Sequence, residues 1–324
     1  MEFALIDILK NRCALARADV RLGIGDDAAV LAPPAGHELV VATDTLVAGV
    51  HFPGSTRPED IGWKSLAVNL SDLAAMGATP AWALLALTIP AADRDFVERF
   101  ADGFAELAAQ HHVALVGGDT TRGPLTITVT AHGFVPPGQA LRRDGAREGD
   151  LVFVTGSLGD AAAGLRCVDG TARPRNAQTS PDARAALIAR LDRPSPRVAA
   201  GAVLRNSASS CIDLSDGLLA DLGHVATQSG VRIEINASAL PASPSLLDSF
   251  DASTRLAMQV SGGDDYELAF TLPLQHVASV TRDLARVGCG ATRIGRVVAG
   301  GGIRLLDDAG DEIAAPQRGW EHFA

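Results

Sequence analysis

The sequence predicts a mixed α/β fold in two domains, and three observations support this prediction. The chain has 324 residues, more than one hydrophobic core usually serves, so two domains of ordinary size are expected. Segments rich in β-branched residues alternate with segments whose apolar residues recur every three or four positions. Pro136-Pro137-Gly138 breaks this pattern near the middle of the chain. We therefore predict domains at residues 1–137 and 138–324.

The first half begins with a predicted helix over residues 3–15 and a glycine loop that carries two adjacent carboxylates. A β-branched strand over residues 38–43 then places Asp44 at its end. The next helix, over residues 61–76, has an apolar face, with Asp72 on the other side. The remaining elements predicted in this half are a strand at 82–89, a helix at 94–110 capped by Asp93, a short buried strand at 113–116 that breaks at Gly117, and an antiparallel or edge strand at 125–135.

The second half repeats the mixture of strands and helices. A loop rich in Thr, Pro, Asn and Ser is predicted over residues 169–182, and Ser215-Asp216-Gly217 is predicted to open a helix. The strands predicted here are 151–155, 208–214, 232–235, 266–271, 294–298 and 303–306, and the helices are a small-residue helix after 156–159 and those at 183–191, 197–206, 218–229 and 275–287.

Composition excludes several classes of protein. Hydrophobic residues make up 47% of the chain and charged residues 20%, which indicates a globular protein. The net charge of −10 argues against a nucleic-acid-binding protein, because such proteins carry a basic face. Lysine occurs only at Lys10 and Lys64, so the Gly-Lys-Ser/Thr of a phosphate-binding P-loop is missing.

The cysteines and the N-terminus predict a cytoplasmic protein. The four cysteines are widely separated, and no histidine lies near them at zinc spacing, so they are expected to be reduced and mostly buried. The first residues lack a basic segment followed by an apolar core, and the longest apolar stretch is too short to cross a bilayer. We therefore expect no membrane partner.

Acidic loops are the main functional signal. Asp26 and Asp27 repel each other on one tight loop unless a cation lies beside them, and a divalent cation removes that cost. A solvated turn explains one such loop equally well. The same pattern recurs after apolar runs or at helix starts, in 43–45, 71–72, 117–120, 213–217 and 262–265. Six loops favour a shared metal-binding role.

The ordered motifs resemble those of the thiamine-monophosphate kinase family over nearly the whole chain. They are Gly23-Ile24-Gly25-Asp26-Asp27, 42–52, 68–77, Gly117-Gly118-Asp119-Thr120-Thr121, Asp213-Leu214-Ser215-Asp216-Gly217-Leu218, 261–268 and the terminal 319–323. The wider group includes aminoimidazole ribonucleotide synthetase, selenophosphate synthetase and a hydrogenase-maturation dehydratase. The latter two fit less well, because Cys13 lies outside a reactive motif and the chain does not end in cysteine.

The resemblance implies a two-domain aminoimidazole ribonucleotide synthetase-like architecture that dimerises through a mixed sheet in the N-terminal domain. It implies ATP and several Mg²⁺ ions as cofactors and thiamine monophosphate as substrate, with ATP bound between the domains. The implied reaction is transfer of the γ-phosphoryl to that phosphate, the final step of thiamine diphosphate synthesis, with no residue as general base.

The resemblance also assigns roles to individual residues. The implied metal ligands are Asp27, Thr43, Asp44, Asp72, Asp119, Asp213 and Asp216, with Asp26 as a supporting partner, and catalysis is metal-assisted through Asp44, Asp72 and Asp119. The implied nucleotide contacts are Gly118, Asp119, Arg143 and Ser215, and the implied substrate contacts are His51, Asp264 and Trp320. Four of these have plain structural alternatives. They are a hydroxyl that caps the backbone for Thr43, a satisfied surface histidine for His51, a solvated linker arginine for Arg143 and a docking anchor for Trp320. Asp264 departs from the glutamate usual in this family and reaches about one methylene less far.

Two other functions stay open at this point. Another ATP-using enzyme of the same group, such as aminoimidazole ribonucleotide synthetase, shares the acidic loops. A nucleotide- or metal-binding regulatory protein that has lost turnover is the alternative of another class, and the Asp264 departure gives it some support.

Overall fold

The structure of the chain is a computed structural model, which describes residues 2–171, 180–314 and 319. It divides into two compact units, Met1–Leu73 with Ala78–Gln139 and Ala74–Gly77 with Ala140–Ala324. Within the described residues, every helix is too short or too polar to cross a membrane. The mixed α/β fold class predicted from the sequence is confirmed.

The first unit contains one four-stranded sheet, a small hairpin and three helices. The helices are α1 (Glu2–Arg12), α2 (Pro58–Ala75) and α3 (Arg94–Gln110). The strands are β1 (Val20–Leu22), β2 (Val30–Leu31), β3 (Glu38–Val47), β4 (Thr79–Ile89), β5 (Ala114–Arg122) and β6 (Thr126–Val135).

The four-stranded sheet has the order β3-β6-β4-β5, with β6 antiparallel to both of its neighbours and β5 parallel to β4. The strand at 125–135 was predicted to be antiparallel or an edge strand, and the antiparallel alternative is confirmed, with the strand in the centre of the sheet. The predicted break at Gly117 was wrong, because β5 continues to Arg122. Main-chain pairing with β4 does not depend on side chains, so Gly118 pairs with Leu85 and Asp119 with Ala86. Likewise β3 continues to Val47, and Asp44 lies inside it.

Helices α2 and α3 pack so closely that glycine is required at the contact. A Cβ on Gly62 would lie 2.0 Å from the Phe100 carbonyl oxygen, and a Cβ on Gly103 would lie 1.7 Å from the Glu59 carbonyl oxygen. The helix at 94–110 is confirmed, with Asp93 accepting from the Phe96 N–H at 3.1 Å. Nearly every residue of α2 from Ile61 to Ala75 is buried, so it lacks the polar face that its sequence suggested.

In the second unit, the described residues form one six-stranded sheet of order β12-β9-β11-β7-β10-β8. Its strands are β7 (Leu151–Thr155), β8 (Ser210–Asp213), β9 (Arg232–Asn236), β10 (Leu268–Leu272), β11 (Ala291–Val298) and β12 (Gly302–Leu306). Its helices are α4 (Asp160–Val168), α5 (Pro181–Asp192), α6 (Val198–Leu204), α7 (Leu218–Ser229), α8 (Pro244–Ser249), α9 (Ala252–Ser261) and α10 (Val277–Arg286). The strand at 151–155 is confirmed, whereas α8 and α9 were not predicted. Most of the predicted loop at 169–182 lies outside the described residues, and α5 already begins at Pro181.

Aliphatic side chains from the strands and α7 form the main core of this unit. Val152, Val154, Ile212, Ile233 and Leu222 are all at most 1% exposed. A second cluster contains Phe153 and Phe270, whose rings stack with centroids 5.5 Å apart. Because β7, β8 and β10 are buried on both faces, the loops at their ends start from fixed positions.

Candidate active site

The adjacent carboxylates Asp26 and Asp27 lie in the exposed loop that connects β1 with β2. The backbone N–H of Asp27 donates to Asp26 Oδ1 at 2.9 Å, so the first carboxylate holds the turn. Gly25 has a φ of 130°, which a residue with a side chain rarely adopts. The two aspartates therefore differ, because the Asp26 carboxylate accepts a hydrogen bond from the loop backbone, at the N–H of Asp27.

An open cavity of about 1030 Å³ in the first unit joins this acidic loop to the glycines of β5. Asp26, Asp27, Gly117 and Gly118 all line it. Its other walls are formed by Phe3, Ile6, Asp7 and Lys10 of α1, by Gly23, Ile24, Gly25, Ala28, Ala29 and Leu31, and by Leu84, Val116 and His132. The cavity therefore combines carboxylates, exposed backbone, apolar surface and one lysine, and such a mixture of apolar walls and a few polar groups is typical of small-molecule sites.

The side chains of Thr43 and Asp44 lie on opposite faces of the four-stranded sheet. Thr43 donates to the Val129 carbonyl oxygen at 3.1 Å and pairs with the Thr130 hydroxyl at 2.9 Å on the exposed face. Asp119 pairs with Ala86 of β4, and Ala86 pairs with Thr128 of β6. Because Thr128 is two residues from Thr130, Asp119 lies on the same face of the sheet as Thr43. The structure thus shows the backbone-capping geometry for Thr43 and does not bring Asp44 and Asp119 onto one face.

Asp44 faces helix α2. Its backbone N–H donates to Asn69 Oδ1 at 3.1 Å, and Asn69 is fully buried. Asp72 is three residues further along α2, so it lies on the same side of the helix as Asn69. The pairing of β3 with α2 therefore brings Asp44 and Asp72 to the same region of the first unit.

His51 is oriented by the end of β3. Its Nδ1 accepts the Val47 N–H at 2.9 Å, which leaves the proton of the neutral ring on Nε2. The backbone carbonyl of His51 accepts from Lys64 Nζ at 3.1 Å, and Lys64 is only 1% exposed. One of the two lysines in this acidic chain is thus buried in α2 beneath the histidine.

In the second unit, Asp213 ends β8 and is 4% exposed, and the turn Ser215-Asp216-Gly217 follows it. Oδ2 of Asp221 accepts the backbone N–H groups of all three turn residues, each at 3.1 Å. Burial, and then repulsion by Asp213 and Asp216, raises the pKa of Asp221 to about 8. These carboxylates are therefore close enough to oppose one another's charge.

The segment 264–267 packs against the same turn. Asp264 donates its backbone N–H to the Ser215 carbonyl oxygen at 2.9 Å, and Tyr266 donates to the Leu214 carbonyl oxygen at 2.9 Å. Asp264 and Tyr266 have φ angles of 69° and 48°, a conformation that is costly for residues with side chains. The structure thus brings the predicted substrate residue Asp264 together with the predicted nucleotide residue Ser215.

Two further acids of this segment are buried and have structural partners. Asp265 accepts the Gly159 N–H at 2.8 Å at the start of α4, and burial raises its pKa to about 8. Glu267 is fully buried, accepts from Thr155 Oγ1 at 2.6 Å, and pairs with Arg190 and Arg197. Gly25-Asp26-Asp27 and Gly263-Asp264-Asp265 therefore share residue types but not hydrogen-bond partners.

The structure shows little about two of the predicted ligand contacts, Arg143 and Trp320. Arg143 is exposed, and its carbonyl oxygen accepts from Ser229 Oγ at 3.0 Å, while the neighbouring Arg142 pairs with Asp144. Trp320 lies outside the described residues.

Comparison with known proteins identifies the family. The chain matches "AIR synthase related protein, N-terminal domain" over residues 25–135 and "AIR synthase related protein, C-terminal domain" over residues 147–308. It is 45% identical to the thiamine-monophosphate kinase of Escherichia coli strain K12 over 324 residues, covering 100% of this chain and 98% of that protein. The chain belongs to the thiamine-monophosphate kinase family. This confirms the resemblance drawn from the sequence motifs.

Solved structures of the family agree with this fold. The crystal structure of thiamine-monophosphate kinase from Stenotrophomonas maltophilia K279a has a TM-score of 0.88 and 50% identity, covering 96% of this chain and 98% of that one. AaThiL complexed with AMPPCP and TMP has a TM-score of 0.77 and 34% identity, covering 99% and 97% respectively.

The donor set of both units suits a hard cation such as Mg²⁺, since carboxylate and hydroxyl oxygens predominate. In the described parts of the chain, no three carboxylate, imidazole or thiolate side chains lie together as a metal site.

Several residues beside the predicted site were not identified from sequence. Lys64, Asn69, Asp221 and Tyr266 all contact predicted site residues or their backbone. Lys64 carried a signal because lysine is so rare in this chain, and Asn69 and Tyr266 lie within the motifs at 68–77 and 261–268. Asn69, Asp221 and Tyr266 act through hydrogen bonds that no residue spacing reveals.

Proposed function

We propose that this protein transfers the γ-phosphoryl group of ATP to thiamine monophosphate, forming thiamine diphosphate by direct, Mg²⁺-assisted, in-line transfer. Family membership supports the proposal, as does the relative that binds AMPPCP and TMP together. That pair of ligands matches a donor and an acceptor of a phosphoryl group.

The observation that carries the proposal is the cavity of the first unit. It places the Asp26-Asp27 loop opposite the side-chain-free backbone of Gly117 and Gly118. Glycine allows phosphate oxygens to approach backbone N–H groups, and the carboxylates balance the charge of a cation bound with the phosphates. We therefore assign the cavity to the nucleotide, with Gly118 at its phosphates. Asp119, the next residue of β5, does not line the cavity, and we propose it as a nucleotide contact from the exposed face of the sheet.

The acceptor needs no strong base from the protein. A phosphate monoester has a second pKa of about 6, so most of the acceptor oxygen is already deprotonated at neutral pH. The difficulty is repulsion between two polyanions on an acidic chain. Several Mg²⁺ ions, when bound, would neutralise that repulsion and draw the phosphates together.

The carboxylates of the chain would hold those ions. In the first unit we assign Asp27, Asp44, Asp72 and Asp119 as ligands, with Thr43 retained as a weaker candidate because its hydroxyl already bonds within the sheet. In the second unit we assign Asp213 and Asp216. Each of these side chains contributes oxygen donors and negative charge, and metal-assisted catalysis would depend most on Asp44, Asp72 and Asp119.

The remaining predicted residues would recognise the two substrates. We assign Arg143 and Ser215 to the nucleotide and His51, Asp264 and Trp320 to thiamine monophosphate. His51 suits this role because its Nδ1 is already engaged with Val47, which fixes the orientation of the ring.

A homodimer and a cytoplasmic location complete the proposal. One face of the four-stranded sheet exposes Leu39, Val41 and Leu84, which are 49%, 54% and 36% exposed and lie on one side by register. A second copy of the chain would cover this face. Sedimentation of a Val41→Asp variant should show a monomer, while a dimer of unchanged stability would contradict this interface. The four free, buried cysteines are compatible with a reducing compartment.

The direct test is incubation of purified protein with ATP, Mg²⁺ and thiamine monophosphate, followed by mass analysis of the product. A product one phosphate heavier than thiamine monophosphate supports the proposal, and its absence at saturating substrates would contradict it. Assay with the substrates of aminoimidazole ribonucleotide synthetase separates the nearest alternative enzyme. Chelation of divalent cations should abolish turnover.

Asp72→Asn tests whether the protein is a catalyst or only a binding protein. This substitution keeps the size of the side chain and removes its charge, so we expect loss of at least about a thousandfold in kcat with an unchanged thermal transition. Asp95→Asn is a matched control, because Asp95 is an exposed aspartate of α3 whose side chain is 82% accessible. Equal activity of the two variants would count against metal-assisted transfer.

A further inference from the structure

The carboxylate of Asp221 accepts hydrogen bonds from three successive backbone N–H groups just before α7. Asp221 is 3% exposed, and its Oδ2 accepts from Ser215, Asp216 and Gly217, each at 3.1 Å. One carboxylate oxygen thus binds the whole turn that connects β8 to α7.

This contact changes what the start of α7 is able to bind. Unpaired N–H groups at the first turn of a helix form a ready site for phosphate. The N–H groups of Ser215, Asp216 and Gly217 directly precede the first turn of α7, which begins at Leu218, and Asp221 satisfies all three without a ligand. Ser215 is an implied nucleotide contact, but its backbone N–H is directed at Asp221.

The opposite side of the turn is also fixed. The carbonyl oxygens of Leu214 and Ser215 accept from Tyr266 and Asp264, each at 2.9 Å. Gly217 has a φ of 118°, and a Cβ there would lie 2.9 Å from the carbonyl carbon of Ser261. The turn is therefore held by Asp221 through its N–H groups and by the 264–266 segment through its carbonyl groups.

We propose that Asp221 is a positioning residue that holds the Ser215–Gly217 turn so that Asp213 and Asp216 present their carboxylates to a divalent cation. The N–H groups of this turn then take no part in binding phosphate, and any contact of the turn with the nucleotide is made by side chains or through the cation. The inference rests on the proposed function for the identity of the cation, but the geometry of the turn stands independently.

The test compares three variants of the full-length chain. Asp221→Ala removes the acceptor and leaves three N–H groups without a partner, whereas Asp221→Asn keeps one oxygen acceptor of nearly the same shape. Asp248→Ala is the control, because Asp248 is an exposed aspartate of α8 in the same unit.

Two measurements do not depend on turnover. We expect hydrogen exchange of the 215–217 amides to accelerate at least about tenfold in Asp221→Ala, with the core strands unchanged. We expect Mn²⁺ binding, followed by electron paramagnetic resonance, to weaken about tenfold in Asp221→Ala and to recover to within about threefold of wild type in Asp221→Asn. The Asp248→Ala control should match wild type in both.

Several results would overturn the proposal. Wild-type Mn²⁺ affinity in a folded Asp221→Ala protein would show that the residue is only structural. If Asp221→Ala does not fold, the wild-type protein provides the test. Inorganic phosphate added without metal should leave exchange at 215–217 unchanged, and protection of these amides by phosphate would contradict the proposal. Absence of kinase activity in wild type would refute the proposed function without altering these measurements.

Discussion

The Tyr266 hydroxyl donates a hydrogen bond to Asp264 Oδ1 across 3.1 Å, and both residues have positive φ angles. Tyr266 is 8% exposed and is the only tyrosine in the chain. The bond restrains a carboxylate that is about one methylene shorter than the glutamate usual at this place in the family. A strained backbone and a side-chain bond together define where this carboxylate lies.

Tyr266→Phe removes only this hydroxyl. We expect KM for thiamine monophosphate to rise about fivefold with little change in kcat, since a hydrogen bond of this kind contributes about 1 kcal/mol. Steady-state kinetics measure this, and Asp264→Ala provides the reference background. If Tyr266→Phe raises KM by the same factor in that background, the two residues do not act together.

Gly118→Ala should destabilise the first unit severely. Its Cβ would lie 1.8 Å from the Leu85 carbonyl oxygen, and Gly118 has a φ of 148°. We expect a loss of at least about 3 kcal/mol in the free energy of unfolding, measured by denaturant titration. Gly117→Ala is the matched control, because its Cβ would meet only the movable Leu84 Cδ2 at 3.1 Å. Equal stability of the two variants would contradict the tight β4–β5 contact.

Glu267→Gln should destabilise the second unit because it removes the buried negative charge that two partly buried guanidinium groups share. Arg190 and Arg197 both pair with this fully buried carboxylate. Breaking such a buried network costs about 3 kcal/mol or more, so the denaturation midpoint should fall markedly. Glu98→Gln in the first unit removes only solvent-exposed pairs with Arg12 and Arg94 and should cost at most about 1 kcal/mol. A smaller effect at Glu267 than at Glu98 would refute this reading.

Acid should weaken the fold through His132. Burial lowers the pKa of this imidazole below its ordinary 6.5, and within the described residues its buried Nδ1 has no hydrogen-bond partner. The unfolded chain therefore takes up a proton first as the pH falls below about 6.5, so stability is lost from there down to the lowered pKa of the folded state.

His132→Gln removes this titration. Between pH 7.5 and pH 5 the melting temperature of wild type should fall more steeply than that of the variant, because only the variant escapes this penalty. Subtracting the two curves removes the contribution of His111, whose pKa burial also lowers. His37→Gln, at an exposed position, should leave the wild-type slope unchanged. A His132→Gln curve parallel to that of wild type would contradict the prediction.

Local patterns were enough to locate most of the elements. The apolar stripe and Asp93 cap located α3, and the β-branched run located β7, because both signals lie within one segment. The ends of β3 and β5 were misjudged, since pairing with a neighbouring strand extended each past its last apolar residue. Helix α2 was expected to have a polar side, yet packing buried nearly all of it.

For the acidic loops, the sequence alone determined the residue types, their order along the chain and the family to which they belong, because these depend only on composition and spacing. Only the tertiary structure decided which groups meet. It separated Thr43 from Asp44 across a sheet, placed Asp26 and Asp27 beside Gly118 in one cavity, and engaged the Ser215–Gly217 amides with Asp221. Such meetings depend on strand register and on hydrogen bonds between distant segments, neither of which is encoded in any one stretch of residues.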